Sequence, residues 1–85
     1  MQKTLHTKEY KRLTSWLKSK RIERGLTVRE LADKLGVAHS FVGKVEQCER
    51  RLDIVEYVNY CEALEEPALG GLKVIAANST SRKNH

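Results

Sequence analysis

The sequence predicts an all-α fold. Its apolar residues recur at spacings of three and four, the period of an α-helix, and no long segment alternates apolar and polar residues as a strand does. Five glycines and one proline divide the 85 residues into short segments of this kind. The length is that of one small domain. We place that domain at residues 1–77, followed by a polar tail at residues 78–85 that we expect to be disordered.

The first helix is predicted at residues 8–24. Tyr10, Leu13 and Leu17 lie on one face of this segment, together with the aliphatic part of Arg21. Gly25 follows, and glycine commonly ends a helix because it adopts the left-handed conformation without steric cost.

The second helix begins at a capping box. Thr27 and Glu30 stand three positions apart, so that the Thr hydroxyl and the Glu carboxylate can each accept a hydrogen bond from an unpaired N–H group at the helix start. The helix turns its apolar residues, such as Leu31 and Ala32, towards the core and ends at Gly36 after about two turns.

The third helix is predicted at residues 39–47. Val42 and Val45 are three positions apart and face the core, while the polar residues point elsewhere. Two short helices joined by a tight turn that contains Gly36 are typical of a helix-turn-helix, at about residues 27–47. In that motif the second helix enters the major groove of DNA, although a purely structural helical hairpin needs many of the same residues.

The last two helices carry more apolar residues than one domain needs. Residues 53–64 are apolar on nearly every side, so their surplus must be covered by the first helix or by a partner. A short fifth helix is predicted from Pro67, a favourable residue for a first turn, and is anchored by Leu69, Leu72 and Ile75. A pair of glycines weakens this helix.

Charge is distributed unevenly along the chain. Residues 1–51 contain thirteen Lys and Arg against six Asp and Glu, whereas residues 52–76 contain one Lys against five Asp and Glu. The basic half is where a polyanion would dock, although charge alone is equally compatible with a solvated basic face.

No residue pattern indicates catalysis, a metal or a cofactor. Cys48 and Cys61 are thirteen positions apart, without the spacing of zinc ligands, and Cys61 falls in the apolar pattern of the fourth helix. We therefore expect free thiols, with Cys61 in the core and no enzyme activity. The sequence has neither a signal peptide nor an apolar run long enough for a membrane span, so we expect a cytoplasmic protein.

The stretch LKSKRIERGLTVRELADKLGVAHSFVGKVEQ resembles the Cro and phage-repressor type of helix-turn-helix, also called Xre-like. The resemblance extends loosely from Lys11 to Leu64. It implies a five-helix domain that binds double-stranded DNA as a homodimer on a near-palindromic operator. It also implies that the protein regulates transcription, as a repressor or controller protein, and catalyses no reaction.

The same resemblance assigns the DNA contacts. The base-reading positions lie on the third helix: His39, Ser40, Gly43 and Lys44, with Phe41 adjacent. Lys44 can alternatively remain solvated, and Phe41 can instead cover the junction of the second and third helices.

The phosphate-contact positions implied by the resemblance lie at helix ends and in the following loop: Thr27, Val28, Gln47, Arg50 and Arg51. Val28 stands where the family usually has Gln, so we expect that contact to be lost or to move to Arg29. The two loop arginines can alternatively be solvated.

Other positions have structural roles in this interpretation. The resemblance implies an inward-facing ion pair between Arg21 and Glu46. Ala38 replaces the Ser or Thr that caps the third helix and is a poorer N-cap by ~1 kcal/mol. Cys48 replaces a Gly in a place that often requires a left-handed conformation, which costs other residues roughly 1–2 kcal/mol.

The surplus apolar residues predict the dimer interface, with Val55, Leu69, Leu72 and Ile75 as its candidates. The same surface supports a second interpretation, in which the chain is an antitoxin or another helical module that binds a partner protein. A third interpretation is a helical scaffold that has lost DNA binding.

Overall fold

The computed structural model describes residues 7–83, and the side chains of residues 7–77. These residues form five helices and no strand, which confirms the predicted all-α fold. The helices are α1 (Lys8–Glu23), α2 (Val28–Leu35), α3 (His39–Glu46), α4 (Ile54–Leu64) and α5 (Ala68–Lys83). No helix in this part of the chain is long and apolar enough to cross a membrane.

Local signals mark the ends of α1 and α2 as predicted. Gly25, which follows the C-cap residue Arg24 of α1, has a φ of 70°, and Gly36 ends α2 with a φ of 72°. At the start of α2 the capping box is complete, because the Thr27 hydroxyl accepts a hydrogen bond from the Glu30 N–H and the Glu30 carboxylate accepts one from the Thr27 N–H.

The ends of α3 also agree with the expectations. Ala38 makes no side-chain hydrogen bond at the start of the helix, and Cys48 has a left-handed φ of 63°. A second capping box, Asp53 with Glu56, starts α4. The spacing of these two acidic residues in the sequence is the signal that would have predicted it.

The core is formed mainly by α1 to α4. Cys61 belongs to it, as predicted. The buried apolar side chains are Tyr10, Leu13, Leu17, Leu31, Ala32, Val42, Val45, Cys48, Tyr57, Tyr60, Cys61 and Leu64.

Tyr10 connects the core to the loop between α3 and α4. Its hydroxyl donates to the carbonyl oxygen of Arg50 at 2.7 Å and accepts from the N–H of Leu52 at 3.2 Å. Burial raises the pKa of Tyr10. This one side chain therefore holds the loop that follows α3 against α1.

The fifth helix differs from the prediction in length. It continues to Lys83, so residues 78–83, expected in a disordered tail, are helical, and the helix is not short. Residues 1–6 and 84–85, which belong to the predicted domain and tail, lie outside the described residues.

The glycine pair in α5 has a packing role. A Cβ atom on Gly70 would lie 2.8 Å from the Trp16 ring, and one on Gly71 would collide with the Tyr57 hydroxyl and with Leu13. The glycines therefore let α5 approach α1 more closely than any other residue would, whatever helix propensity they cost.

Candidate nucleic-acid interface

The unit formed by α2 and α3 holds α3 with one face in the core. The turn between the helices is closed by the N–H groups of Gly36 and Val37, which donate to carbonyl oxygens of α2 at 3.2 Å and 3.1 Å. Ala32 is fully buried, and its small side chain lets the helices cross closely. Val42 and Val45 are also fully buried, so the orientation of α3 is set by the core.

The outward face of α3 is polar. His39, Ser40 and Lys44 are exposed, whereas Val42 and Val45 are buried. The His39 Nε2 atom lies 3.4 Å from the Asp33 Oδ1 atom of α2. Gly43 lies on the same side, and a Cβ atom there would meet nothing within 4 Å, so no contact within the described chain requires glycine at this position.

Phe41 and Arg50 contact each other within the protein. Phe41 is half-buried and packs against the core. The Arg50 guanidinium carbon lies 4.5 Å from the centre of the Phe41 ring, within the range of a cation–π interaction. Arg50 also donates from Nη2 to Glu56 Oε2 at 2.9 Å and from Nη1 to the carbonyl oxygen of Arg51 at 2.7 Å.

The remaining phosphate candidates lie near the ends of α2 and α3. Arg29 and Gln47 are exposed, and the exposed Thr27 uses its hydroxyl in the capping box. Arg51 is exposed and its guanidinium carbon lies 4.7 Å from the centre of the Tyr10 ring.

Arg21 and Glu46 form a two-point ion pair between α1 and the end of α3. The Nε–Oε2 distance is 2.6 Å and the Nη2–Oε1 distance is 3.1 Å. The third guanidinium nitrogen, Nη1, donates to the carbonyl oxygen of Leu26 at 2.7 Å. The two side chains are only 12% and 8% exposed, and the hydrogen bond to Glu46 raises the pKa of Arg21.

The candidate dimer residues are exposed, with one exception. Val55 on α4 and Leu69 on α5 are 64% and 65% exposed, and Leu72 is 39% exposed. Ile75 is half-buried against the core, so it offers less surface than predicted. The sequence pattern does not single out Ile54 and Val58, which are exposed apolar side chains on the same helix as Val55.

Among the described residues, no group of three or more His, Cys, Asp or Glu side chains is arranged to hold a metal ion. What the structure does present is two short helices joined by a tight turn, with the second helix buried on one face and polar on the other. That arrangement defines a helix-turn-helix domain.

Comparisons with known proteins agree with this class. The sequence model described as "Helix-turn-helix" matches residues 17–68. An XRE-family like protein from Pseudomonas syringae has a similar structure, with a TM-score of 0.79, 37% identity, and coverage of 88% of this chain and 92% of that chain. No curated protein sequence matches significantly.

Two more distant structures share the fold. The clp gene regulator ClgR from C. glutamicum is 23% identical, with a TM-score of 0.75 and coverage of 86% of this chain and 95% of that chain. A point mutant of the restriction-modification controller protein C.Esp1396I is 20% identical, with a TM-score of 0.75 and coverage of 93% and 98%.

The chain therefore belongs to the helix-turn-helix family, in its Xre-like branch. This family is one of DNA-binding domains and not of enzymes.

Proposed function

We propose that the protein regulates transcription by reading a specific, near-palindromic sequence of double-stranded DNA as a homodimer in the cytoplasm. The observation that carries this proposal is the division of α3 into two faces. Its apolar residues Val42 and Val45 are fully buried, and its polar residues His39, Ser40 and Lys44 are exposed to solvent. A rigidly held helix with polar side chains outward is suited to the major groove.

We assign the base contacts to the exposed residues of α3. Lys44 can donate to O6 and N7 of guanine, and His39 and Ser40 stand at the helix start, which approaches the base edges first. Gly43 lets the DNA come close to the helix backbone, since a side chain there would project into open space. The exposed edge of Phe41 is available to a thymine methyl group.

The phosphate contacts hold the domain in register on the duplex. We assign them to Thr27 and Arg29 at the start of α2, where helix N–H groups attract anions, and to Gln47 and Arg51 beyond the end of α3. Arg50 is left out of this set because its guanidinium is already bound by Glu56 and stacked on Phe41.

A comparison of Lys44→Ala with Arg51→Ala tests whether Lys44 contacts bases and Arg51 contacts phosphates. Each variant loses one positive charge, so simple electrostatics predicts equal effects. We expect Lys44→Ala to cost ~1–3 kcal/mol on the preferred duplex and to relax the preference at one base pair. Arg51→Ala should weaken binding to all sequences similarly. It should also reduce the slope of the logarithm of the binding constant against the logarithm of salt concentration by about one in magnitude.

The measurement begins with in vitro selection of a preferred duplex from a random pool. Affinities of both variants are then determined on that duplex and on a scrambled one across a salt series. Equal losses on both duplexes for both variants would show that α3 is not the reading element. Failure of the unmodified protein to enrich any sequence would favour the scaffold interpretation.

Dimerisation is supported by the exposed apolar side chains of α4 and α5, which are costly to leave in water. A twofold dimer would place two copies of α3 about one helical turn of DNA apart, roughly 10 bp between half-sites. Leu69→Asp should abolish the dimer because it places a charge in this surface. Ile22→Asp is the matched control, since Ile22 is similarly exposed but lies on α1.

Sedimentation equilibrium at micromolar concentrations decides the oligomeric state. A single species of 9.7 kDa for the unmodified protein would contradict the dimer. A monomer that still selects a DNA sequence would favour the second candidate function, in which the apolar face binds a different protein, as in an antitoxin.

A further inference from the structure

Arg50 lies in the loop between α3 and α4 and contacts both helices. Its guanidinium stacks on Phe41 of α3 at 4.5 Å and donates to Glu56 of α4 at 2.9 Å. It also donates to the carbonyl oxygen of the next residue at 2.7 Å. The face of the guanidinium and two of its nitrogen atoms are therefore used within the protein.

The partner on α4 is itself held in place. Glu56 uses its second carboxylate oxygen, Oε1, to accept the N–H of Asp53 at 2.9 Å, and the Asp53 carboxylate accepts the Glu56 N–H at 2.7 Å. The carboxylate that binds Arg50 is thus part of the capping box that starts α4. Because the Glu56 carboxylate is fixed at the start of α4, its hydrogen bond fixes the Arg50 guanidinium relative to α4.

The backbone of Arg50 is anchored as well. Its carbonyl oxygen accepts the hydrogen bond from the buried Tyr10 hydroxyl at 2.7 Å. On the other side, Phe41 follows Ser40 directly in α3 and packs against the core. Arg50 therefore links the start of the reading helix to α1 through its backbone and to α4 through its side chain.

We propose that Arg50 is a positioning residue, which sets the orientation of α3 relative to α4, and not a ligand of DNA phosphate. This inference rests on the proposed role of α3 as the reading helix. The geometry requires the planar guanidinium, because lysine cannot stack and bind a carboxylate in a fixed plane at the same time. A phosphate contact requires only a positive charge and a donor, which lysine also supplies.

The two roles predict different DNA binding. A small tilt of α3 disturbs base contacts, which carry sequence preference, and leaves the number of phosphate contacts unchanged. Arg50→Lys should therefore lower the preference for the selected duplex over a scrambled one by about tenfold, the effect of losing roughly one base contact. The slope of binding against salt should stay the same, since the charge is retained.

Glu56→Gln is the sharper variant. It removes a negative charge, so electrostatics alone predicts tighter DNA binding, whereas the positioning role predicts a loss of preference like that of Arg50→Lys. The Gln side-chain oxygen can still accept the Asp53 N–H, so the start of α4 is preserved. Arg24→Lys is the matched control: Arg24 also binds a glutamate and a backbone carbonyl, both of Glu65, but it lies at the end of α1, so this variant should keep the preference of the unmodified protein.

The preference ratio and the salt slope are measured for the three variants and for Arg50→Gln, after circular dichroism has shown that each is folded at the assay temperature. Unaltered preference in both Arg50→Lys and Glu56→Gln overturns the proposal. So does a slope reduced by about 0.9 in Arg50→Gln, which is the signature of one lost phosphate contact. If Arg50→Lys does not fold, the result for Glu56→Gln decides alone.

These outcomes are distinct from failure of the proposed function. If α3 does not read DNA, the unmodified protein itself shows no preferred duplex. If only the role of Arg50 is wrong, the unmodified protein prefers the selected duplex, and Arg50→Lys and Glu56→Gln keep that preference.

Discussion

The two helices of the helix-turn-helix have the same length, eight residues each, but they are stabilised in different ways. Helix α2 has local support at both ends: the capping box of Thr27 and Glu30 at its start and Gly36 at its end. Helix α3 has neither, because Ala38 offers no capping hydrogen bond and Cys48, just beyond its end, is left-handed without being glycine.

Distant partners replace the missing local support of α3. Glu46 at its end binds Arg21 of α1, and the Cys48 Sγ atom lies 3.2 Å from the Thr14 Oγ1 atom, also of α1. The buried side chains of Val42 and Val45 hold the middle. This difference shows that tertiary contacts hold α3 where local caps are missing, while its outer face stays exposed.

The largest expected effect comes from the ion pair that secures α3. Arg21→Met or Glu46→Leu alone leaves a nearly buried charge without a partner and should lower the free energy of unfolding by ~3–5 kcal/mol. The double variant should recover part of this loss. Urea denaturation of the unmodified protein, the two single variants and the double variant measures the coupling energy between Arg21 and Glu46.

Glu23→Gln provides the control, since it breaks the exposed pair with Lys20 and should change the free energy of unfolding by less than about 0.5 kcal/mol. If the single Arg21 and Glu46 variants are as neutral as this control, α3 does not depend on the pair.

Cys48 tests the cost of the unusual conformation after α3. Because its φ is 63°, Cys48→Gly should be more stable than Cys48→Ala by about 1–2 kcal/mol, although glycine is normally the less stabilising residue. Both variants lose the same thiol contacts, so they differ in the Cβ atom, whose packing favours Ala and whose strain at a positive φ favours Gly. In thermal denaturation, an Ala variant at least as stable as the Gly variant would show that the strain does not exceed the packing of this atom.

Removal of the cap of α2 should have an intermediate effect. Thr27→Ala deletes the hydroxyl that accepts the Glu30 N–H and should cost ~1 kcal/mol, while Thr27→Ser retains the acceptor and should cost less. Equal unfolding midpoints for the two variants would indicate that water replaces the cap without loss.

Gly43 separates stability from DNA binding within α3. Gly43→Ala should stabilise the fold by about 0.8 kcal/mol, because the position is helical and a Cβ atom there meets nothing within 4 Å. The same change should weaken binding to the selected duplex if DNA approaches this surface closely. A more stable variant with undiminished affinity would place the DNA away from Gly43.

The smallest effect is expected at the uncapped start of α3. Ala38→Ser supplies the missing cap and should stabilise the protein by about 0.5 kcal/mol, whereas Ala38→Val should give no gain. Thermal denaturation distinguishes the two. A serine variant that is no more stable than the valine variant would mean that α3 needs no local support at its start.

The limits of the first three helices and the exposure of α3 were predictable from the sequence. The signals at Thr27, Glu30 and Gly36 act on groups within one or two turns, so they are legible in a short stretch of chain. The period of the helix likewise separates the buried Val42 from the exposed Lys44. The capping box at Asp53 belongs to the same class of signals.

The partners of Arg50 and the path of α5 were decided only by the tertiary structure. Nothing near Arg50 in the sequence distinguishes a solvated loop arginine from one stacked on Phe41 of another helix. In the same way, Gly70 and Gly71 lower the helix propensity of their own segment, which is all that the sequence reveals. Close packing against Trp16 and Leu13, more than fifty residues away, outweighs that local cost, because tertiary contacts are stronger than propensity differences.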